Sequence, residues 1–410
     1  MRVLVEGSGG SAGWPEPGCR CASCLLQESI RVRSTILIDG LVRLGVGGED
    51  GGVVADGGVA VGGGVAVGGG VADGYRVRRL ADARDPRDPG GWDVTGPDGG
   101  RLLYPARPGA VPVPPEEASA YDIAFLDLLG VPAQLGLLRA RGLITADTVT
   151  AVAFADHRVS SEGELRRRCR FWRAELPGDG EVVTTARSAE KRPAARRVPW
   201  RVLVLGGARS GKSGRAELRL AGESDVTYVA TGPNGTVGAA EMAGDRASGM
   251  GGDPDRAARM GGDPDRAARV GGDPDWAARV AAHRARRPAW WRTAETTDLA
   301  GVLAGARGAL LIDGIGTWLA AAMDECGAWG GSADSAGRLA ARIAGLVGAW
   351  RQTGAYVVAV SDEAGLGVVP ETPAGRLFRD ELGRLNQLLA AESEEAELVV
   401  AGRVVPLTAG

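Results

Sequence analysis

Arg201-Val-Leu-Val-Leu-Gly206-Gly207-Ala208-Arg209-Ser210-Gly211-Lys212-Ser213 is the stretch that decides how the second half of the chain is read. Its first five residues form an apolar run of the kind found in parallel strands buried on both faces. The next eight match G-x-x-x-x-G-K-[ST], and a helical pattern from Arg215 to Leu220 follows at once. A strand that runs into glycines and then into a helix lets backbone N–H groups close around a polyphosphate. In that setting Lys212 neutralises the outer phosphate oxygens, and the Ser213 hydroxyl is placed to ligate Mg²⁺. Lysine is otherwise scarce: of 48 lysines and arginines only Lys191 and Lys212 are lysine. A rare residue at this one spot argues against a chance glycine-rich turn.

Downstream, strand-like runs recur at Val226 to Ala230, Ala309 to Ile312, Tyr356 to Val360 and Leu398 to Ala401, with helical patterns between them. The alternation predicts an α/β domain over 200–410, a P-loop NTPase-type (RecA-like) unit with a mostly parallel sheet and flanking helices. A phosphate loop needs a carboxylate on its metal side, and Asp313 closes the apolar run Leu310-Leu311-Ile312 as the expected Mg²⁺ or nucleotide partner. Residues 250–279 repeat a ten-residue unit, MGGDPDRAAR twice and then VGGDPDWAAR, each copy with an Asp-Pro helix start. A period of ten with so polar a content cannot stack a core, so the first two copies, 250–269, read as an insertion. The third opens a helix in which Trp276, Arg279 and His283 share one face, with Arg284, Arg286 and Arg287 beside it. An imidazole among arginines is kept deprotonated near neutral pH and can meet phosphate as a nucleophile.

The whole chain has 410 residues and a formal net charge of −3, enough for two cores and without the basic footprint that nucleic acid requires. Glycine, 66 of 410 residues, is about twice its usual share of roughly 7 %. Part of that excess lies in 45–74, a Gly/Val/Ala/Asp tract expected to be a flexible excursion. The basic, Pro-containing stretch 191–199 reads as a linker between a first domain, 1–190, and the second. No 20-residue apolar span or signal-like start is visible, so a cytoplasmic protein without a membrane span is expected. Cys19, Cys21 and Cys24 lie close enough to suggest metal, and with His157 they make a four-ligand set suited to structural Zn²⁺. His157 and His283 are the only histidines, which excludes any multi-histidine centre.

The second half resembles the bifunctional adenosylcobinamide kinase/adenosylcobinamide-phosphate guanylyltransferase family. The resemblance rests on GGARSGKS at 206–213, VTYVATG at 226–232, WAARVAAH at 276–283 with Arg287-Pro288, and WRTAE at 291–295. It continues through LLID at 310–313, EAGLGVVP at 363–370 and FRDELGRLN at 378–386. It implies ATP and GTP as substrates, with nucleotide contacts at the phosphate loop, at Ala230, Thr231 and Gly232, at Arg284, Ala285, Arg286 and Arg287, and at Glu295 and Asp313. It also implies that His283 carries a covalent GMP adduct, that Lys212 and Asp313 act with it, and that the protein is a homo-oligomer. Three positions depart from the family pattern: Asp362 replaces a common Asn, Gly314 a usual Cys, and Ala282 one of two adjacent histidines. The opening MRVLVEGSGGSAGWPEPGCRCASC resembles metallo-β-lactamase-like domains, but the histidine cluster of their hydrolytic centre has no counterpart, so a degenerate αβ domain of that kind is expected. These resemblances imply cobalamin nucleotide-loop assembly, with phosphorylation of adenosylcobinamide followed by GMP transfer. The alternative is a catalytically decayed nucleotide-binding regulator or scaffold.

Overall fold

A computed structural model describes residues 1–45, 74–185, 199–231, 287–330 and 332–407, together with the backbone of 53–55 and 59–61. The chain divides into two compact units, Met1–Arg196 with Ala221–Ser224, and Arg197–Leu220 with Asp225–Gly410.

The first unit holds two sheets around one core. One sheet is formed by β1 (Arg2–Gly7), β2 (Thr35–Ile38), β3 (Val42–Gly45), β4 (Val53–Ala55), β5 (Val59–Val61) and β11 (Val182–Thr184), in the order β11-β1-β2-β3-β4-β5. The other contains β6 (Arg76–Ala81), β7 (Pro89–Thr95), β8 (Arg101–Pro105), β9 (Ile123–Leu126) and β10 (Val149–Val152), in the order β10-β9-β8-β7-β6. Val3, Val5, Ile36, Ile38, Val42 and Leu44 of the first sheet meet Val94, Leu102, Tyr104, Ile123 and Phe125 of the second. The one-in-two burial of β1 to β3 is what a half-buried antiparallel sheet demands. Short helices α1 (Ala22–Leu25), α2 (Ala133–Ala140) and α3 (Glu162–Trp172) complete the unit. Within the tract 45–74, expected to be a flexible excursion, 46–52, 56–58 and 62–73 lie outside the described residues, while β4 and β5 pair antiparallel and extend the first sheet from β3. Their Val and Ala content lets six residues pair where the surrounding glycines suggested none.

The second unit is a seven-stranded sheet: β12 (Trp200–Gly206), β13 (Val226–Ala230), β14 (Arg292–Glu295), β15 (Ala309–Asp313), β16 (Tyr356–Asp362), β17 (Glu395–Val400) and β18 (Arg403–Pro406). The order is β14-β13-β15-β16-β12-β17-β18, parallel throughout except for β18. Successive residues of each central strand enter opposite cores. Leu203, Leu205, Val357, Ala359, Leu310 and Ile312 face helices α5 (Leu299–Gly305), α6 (Ile315–Cys326), α7 (Ala333–Gln352) and α8 (Pro373–Ala391). Val202, Val204, Val358, Val360, Ala309 and Leu311 face α4 (Lys212–Leu220) and Trp291. Strands covered on both sides read as continuous apolar runs, which is why they were visible in the sequence. Among the described residues no helix is long and apolar enough to cross a membrane.

Candidate functional site

Parallel α/β sheets bind ligands beyond the C-terminal ends of their strands, where the strand order reverses. In-register pairing carries Gly206, Asp362, Asp313, Ala230 and Glu295 to that edge: Gly206 is opposite Asp362, and Ala230 is opposite both Asp313 and Glu295. The phosphate loop leaves β12 at Gly206, turns through Arg209 (φ 58°) and Gly211 (φ +99°), and enters α4 at Lys212. Gly206 is sterically required, since a Cβ there would fall 2.4 Å from Ser210 Oγ and 2.7 Å from the Val399 carbonyl oxygen. Two main-chain bonds hold the loop: Gly402 N–H donates to the Ser210 carbonyl at 2.9 Å, and Glu363 N–H donates to the Gly206 carbonyl at 3.1 Å.

Lys212 Nζ rests 2.8 Å from Asp362 Oδ1 and donates to the Gly207 carbonyl at 3.2 Å. Ser213 Oγ, one residue on, lies 3.4 Å from Asp313 Oδ1. Hydroxyl and carboxylate therefore converge across the mouth of the loop as an all-oxygen donor pair, which suits Mg²⁺. The other Asp313 oxygen accepts a 2.5 Å hydrogen bond from Tyr228 Oη. Tyr228 is buried, and desolvation, then the Asp313 charge and that bond, hold its phenol far above the usual tyrosine range against the opposing pull of Arg287. It is thus a neutral donor at any working pH. Above its ring sits Arg287, with the guanidinium carbon 3.3 Å from the centroid. Arg287 Nη1 also lies 3.4 Å from Thr293 Oγ1 on β14.

Of the expected nucleotide contacts, the structure brings together Gly206 to Ser213, Ala230, Arg287, Glu295 and Asp313 at this edge. Thr231 is buried, and its hydroxyl is engaged with the Gly314 carbonyl and Thr317 Oγ1, both at 2.6 Å. Gly232, His283, Arg284, Ala285 and Arg286 lie outside the described residues. Sequence reasoning missed Tyr228 as a site residue. It was legible only as one letter of a strand, and its bond to Asp313 depends on the pairing of the two neighbouring strands.

A sequence model of the family described as cobinamide kinase / cobinamide phosphate guanyltransferase matches residues 266–407. Bifunctional adenosylcobalamin biosynthesis protein CobP of Pseudomonas aeruginosa is 35% identical over 213 residues, which cover 50% of this chain and 96% of that protein. The bifunctional adenosylcobalamin biosynthesis proteins CobU of Escherichia coli and Salmonella typhimurium are 31% identical over 213 residues and 32% identical over 216. Each of those matches covers 49% of this chain and 96% of the relative. The chain belongs to this family. The family match lies within the second unit, the one that holds the phosphate loop.

The first unit carries a second cluster. The ligand atoms of Cys19, Cys21, Cys24 and His157 all lie within 4.8 Å of one another. Cys24 Sγ is 3.5 Å from His157 Nδ1, and the same sulfur accepts from Glu16 N–H at 3.4 Å. Cys21 caps α1 by accepting from Cys24 N–H at 3.4 Å, which lowers its thiol, whereas burial pushes the Cys24 thiol up to about 11. Three sulfurs and one imidazole match the donor set of a closed tetrahedral zinc site, in which bonds of about 2.3 Å set the sulfurs about 3.8 Å apart. Little contraction would be needed.

Proposed function

We propose that the chain phosphorylates the hydroxyl of adenosylcobinamide with ATP or GTP and then transfers GMP from GTP to the phosphorylated product, as a cytoplasmic homo-oligomer. The observation that carries this reading is the meeting of Lys212, Ser213, Asp313 and Arg287 at one sheet edge, in a chain of the kinase/guanylyltransferase family. In the first step the substrate hydroxyl oxygen attacks the γ-phosphorus, the bond to the β,γ-bridging oxygen breaks, and the nucleoside diphosphate leaves. Lys212 gives up Asp362 to meet the charge on the transferring group. Mg²⁺ held by Ser213 and Asp313 would supply further neutralisation of the phosphate oxygens.

In the second step a ring nitrogen of His283 attacks the α-phosphorus of GTP, a P–N bond forms, and pyrophosphate departs. The phosphate of the adenosylcobinamide phosphate then takes the GMP and frees the histidine. A covalent adduct divides one difficult displacement into two easier ones. Arg284, Arg286 and Arg287 supply the positive charge that a triphosphate needs. Arg287, four residues after His283 in the sequence, stands on Tyr228 at the site. The first unit is read as a metallo-β-lactamase-like αβ domain without a hydrolytic centre, braced by Zn²⁺ on Cys19, Cys21, Cys24 and His157. What supports the zinc is the four-ligand convergence and the N–H donor aimed at Cys24 Sγ.

Incubation with α-labelled GTP tests the central claim. An acid-labile GMP adduct is expected on the native chain, and His283→Ala is expected to lose it while still binding GTP. Label retained in that variant overturns the assignment. GTP binding by the native chain with neither adduct nor turnover of adenosylcobinamide would instead favour a decayed binding protein.

A further inference from the structure

We infer that Tyr228 is a positioning residue that serves both transfers, its hydroxyl fixing the Asp313 carboxylate toward Ser213 and its ring face holding Arg287 at the same edge. The inference rests on the function proposed above. It starts from register. Ala230 is opposite Asp313 on the adjacent parallel strand, so Tyr228, two residues earlier, shares the face of Asp313 at a diagonal position that a long aromatic side chain can span. A carboxylate turns easily about its last torsion, which has broad preferences. The 2.5 Å bond from Tyr228 Oη to Oδ2 removes that freedom and leaves Oδ1 facing Ser213 Oγ, the geometry a shared cation needs. The bond cannot be traded for one to bulk water, because Tyr228 is only 4% exposed.

The ring works on the opposite side. Arg287 follows His283 by four residues in the sequence, and its guanidinium carbon lies over the Tyr228 ring at 3.3 Å from the centroid. A cation stacked on a desolvated aromatic is held more firmly than one in water. One residue therefore ties the metal-side carboxylate to the C-terminal end of the segment that bears the nucleophile. A phenylalanine separates the two roles, since it keeps the face and loses the hydroxyl. A leucine loses both.

The test is carried out on the full chain by equilibrium binding of GTP across a Mg²⁺ titration, alongside the yield of GMP adduct at saturating Mg²⁺. Tyr228→Phe is expected to raise the Mg²⁺ concentration at half-effect about tenfold, the lower end of what losing a ligand-orienting partner costs. The shift should exceed any change in GTP affinity measured without Mg²⁺, which locates the loss at the cation rather than at the nucleotide. Tyr228→Leu is expected to show the same Mg²⁺ shift and, in addition, a loss of adduct that extra Mg²⁺ does not restore. Should that variant not unfold cooperatively, Tyr228→Ile, better suited to a strand, takes its place. A Tyr228→Phe titration superimposed on the native one overturns the hydroxyl role. Native adduct yield in the aliphatic variant overturns the ring role. The Mg²⁺ titration reads binding alone, so it decides the hydroxyl role even if the native chain forms no adduct, a result that would count against the proposed function instead.

Discussion

Gly206 and Gly211 shape the phosphate loop for different reasons. Gly211 sits at φ +99°, a region that L side chains rarely adopt, whereas Gly206 leaves no room for a Cβ between Ser210 Oγ and the Val399 carbonyl. Gly206→Ala must displace either the loop or β17, and neither can yield without disturbing the main-chain bonds that aim the loop. We expect that substitution to weaken GTP binding by about tenfold or more, equivalent to about 1.4 kcal/mol, as read by isothermal titration. Native affinity in the variant would show that the close approach is tolerated. Residues such as Lys212, Ser213 and Asp313 were legible in the sequence because their spacing and flanking strands are local. Tyr228 was not, because its bond to Asp313 joins residues 85 apart in sequence. Asp362 stood out only as a departure from the family pattern, and its partnership with Lys212 follows from the pairing of β12 with β16.

Helix α4 is more than the continuation of the loop. Arg215 makes two hydrogen bonds to Glu397 on β17, at 3.0 and 2.9 Å, and Arg219 reaches Glu397 and Glu395, each at 2.7 Å. Burial opposes ionisation of Glu397, yet the bonds from Arg215 and the charges of Arg219 and Arg215 outweigh it and leave its carboxyl below the usual range. A depressed folded-state pKa means stability that is complete above the unfolded value near 4.5 and lost as pH falls through the folded value. Glu397→Ala takes both of the Glu397 bonds from buried Arg215 and leaves buried Arg219 with Glu395 alone of these two acidic partners, and should cost about 3–5 kcal/mol by denaturant unfolding at neutral pH. The deficit against the native chain should shrink in acid, and a constant difference at all pH values would refute the account. Elements of this second unit were easier to read than those of the first, because runs buried on both faces leave a continuous apolar signature. Strand β7 contains Gly90 and Gly91 packed against Ala81 and Tyr104 backbone, and β14 is mostly polar and lies at the sheet edge. Neither carries an apolar run that separates it from a turn.

At the scale of the whole chain, two compact units each have a hydrophobic core of their own, and the two candidate sites are divided between them. Ligands that bind only the folded form raise the stability of the unit that holds them. Scanning calorimetry should therefore show two transitions, with GTP raising one of them and a zinc chelator lowering the other. Native protein should contain about one zinc per chain and Cys21→Ser substantially less, as the four-ligand set requires. A single transition moved by both additives would mean that the units unfold as one, and native protein free of zinc would remove the metal from the account.

The ion pair between Lys212 and Asp362 has one more consequence. An incoming anion does not meet a bare ammonium group; it must evict a resident carboxylate that already satisfies it. A singly charged visitor offers no better than the tenant it would displace, whereas a triphosphate brings several charges and the loop's N–H donors into play together. The internal competitor thereby acts as a charge threshold, favouring polyphosphates over the simpler anions that crowd any cell.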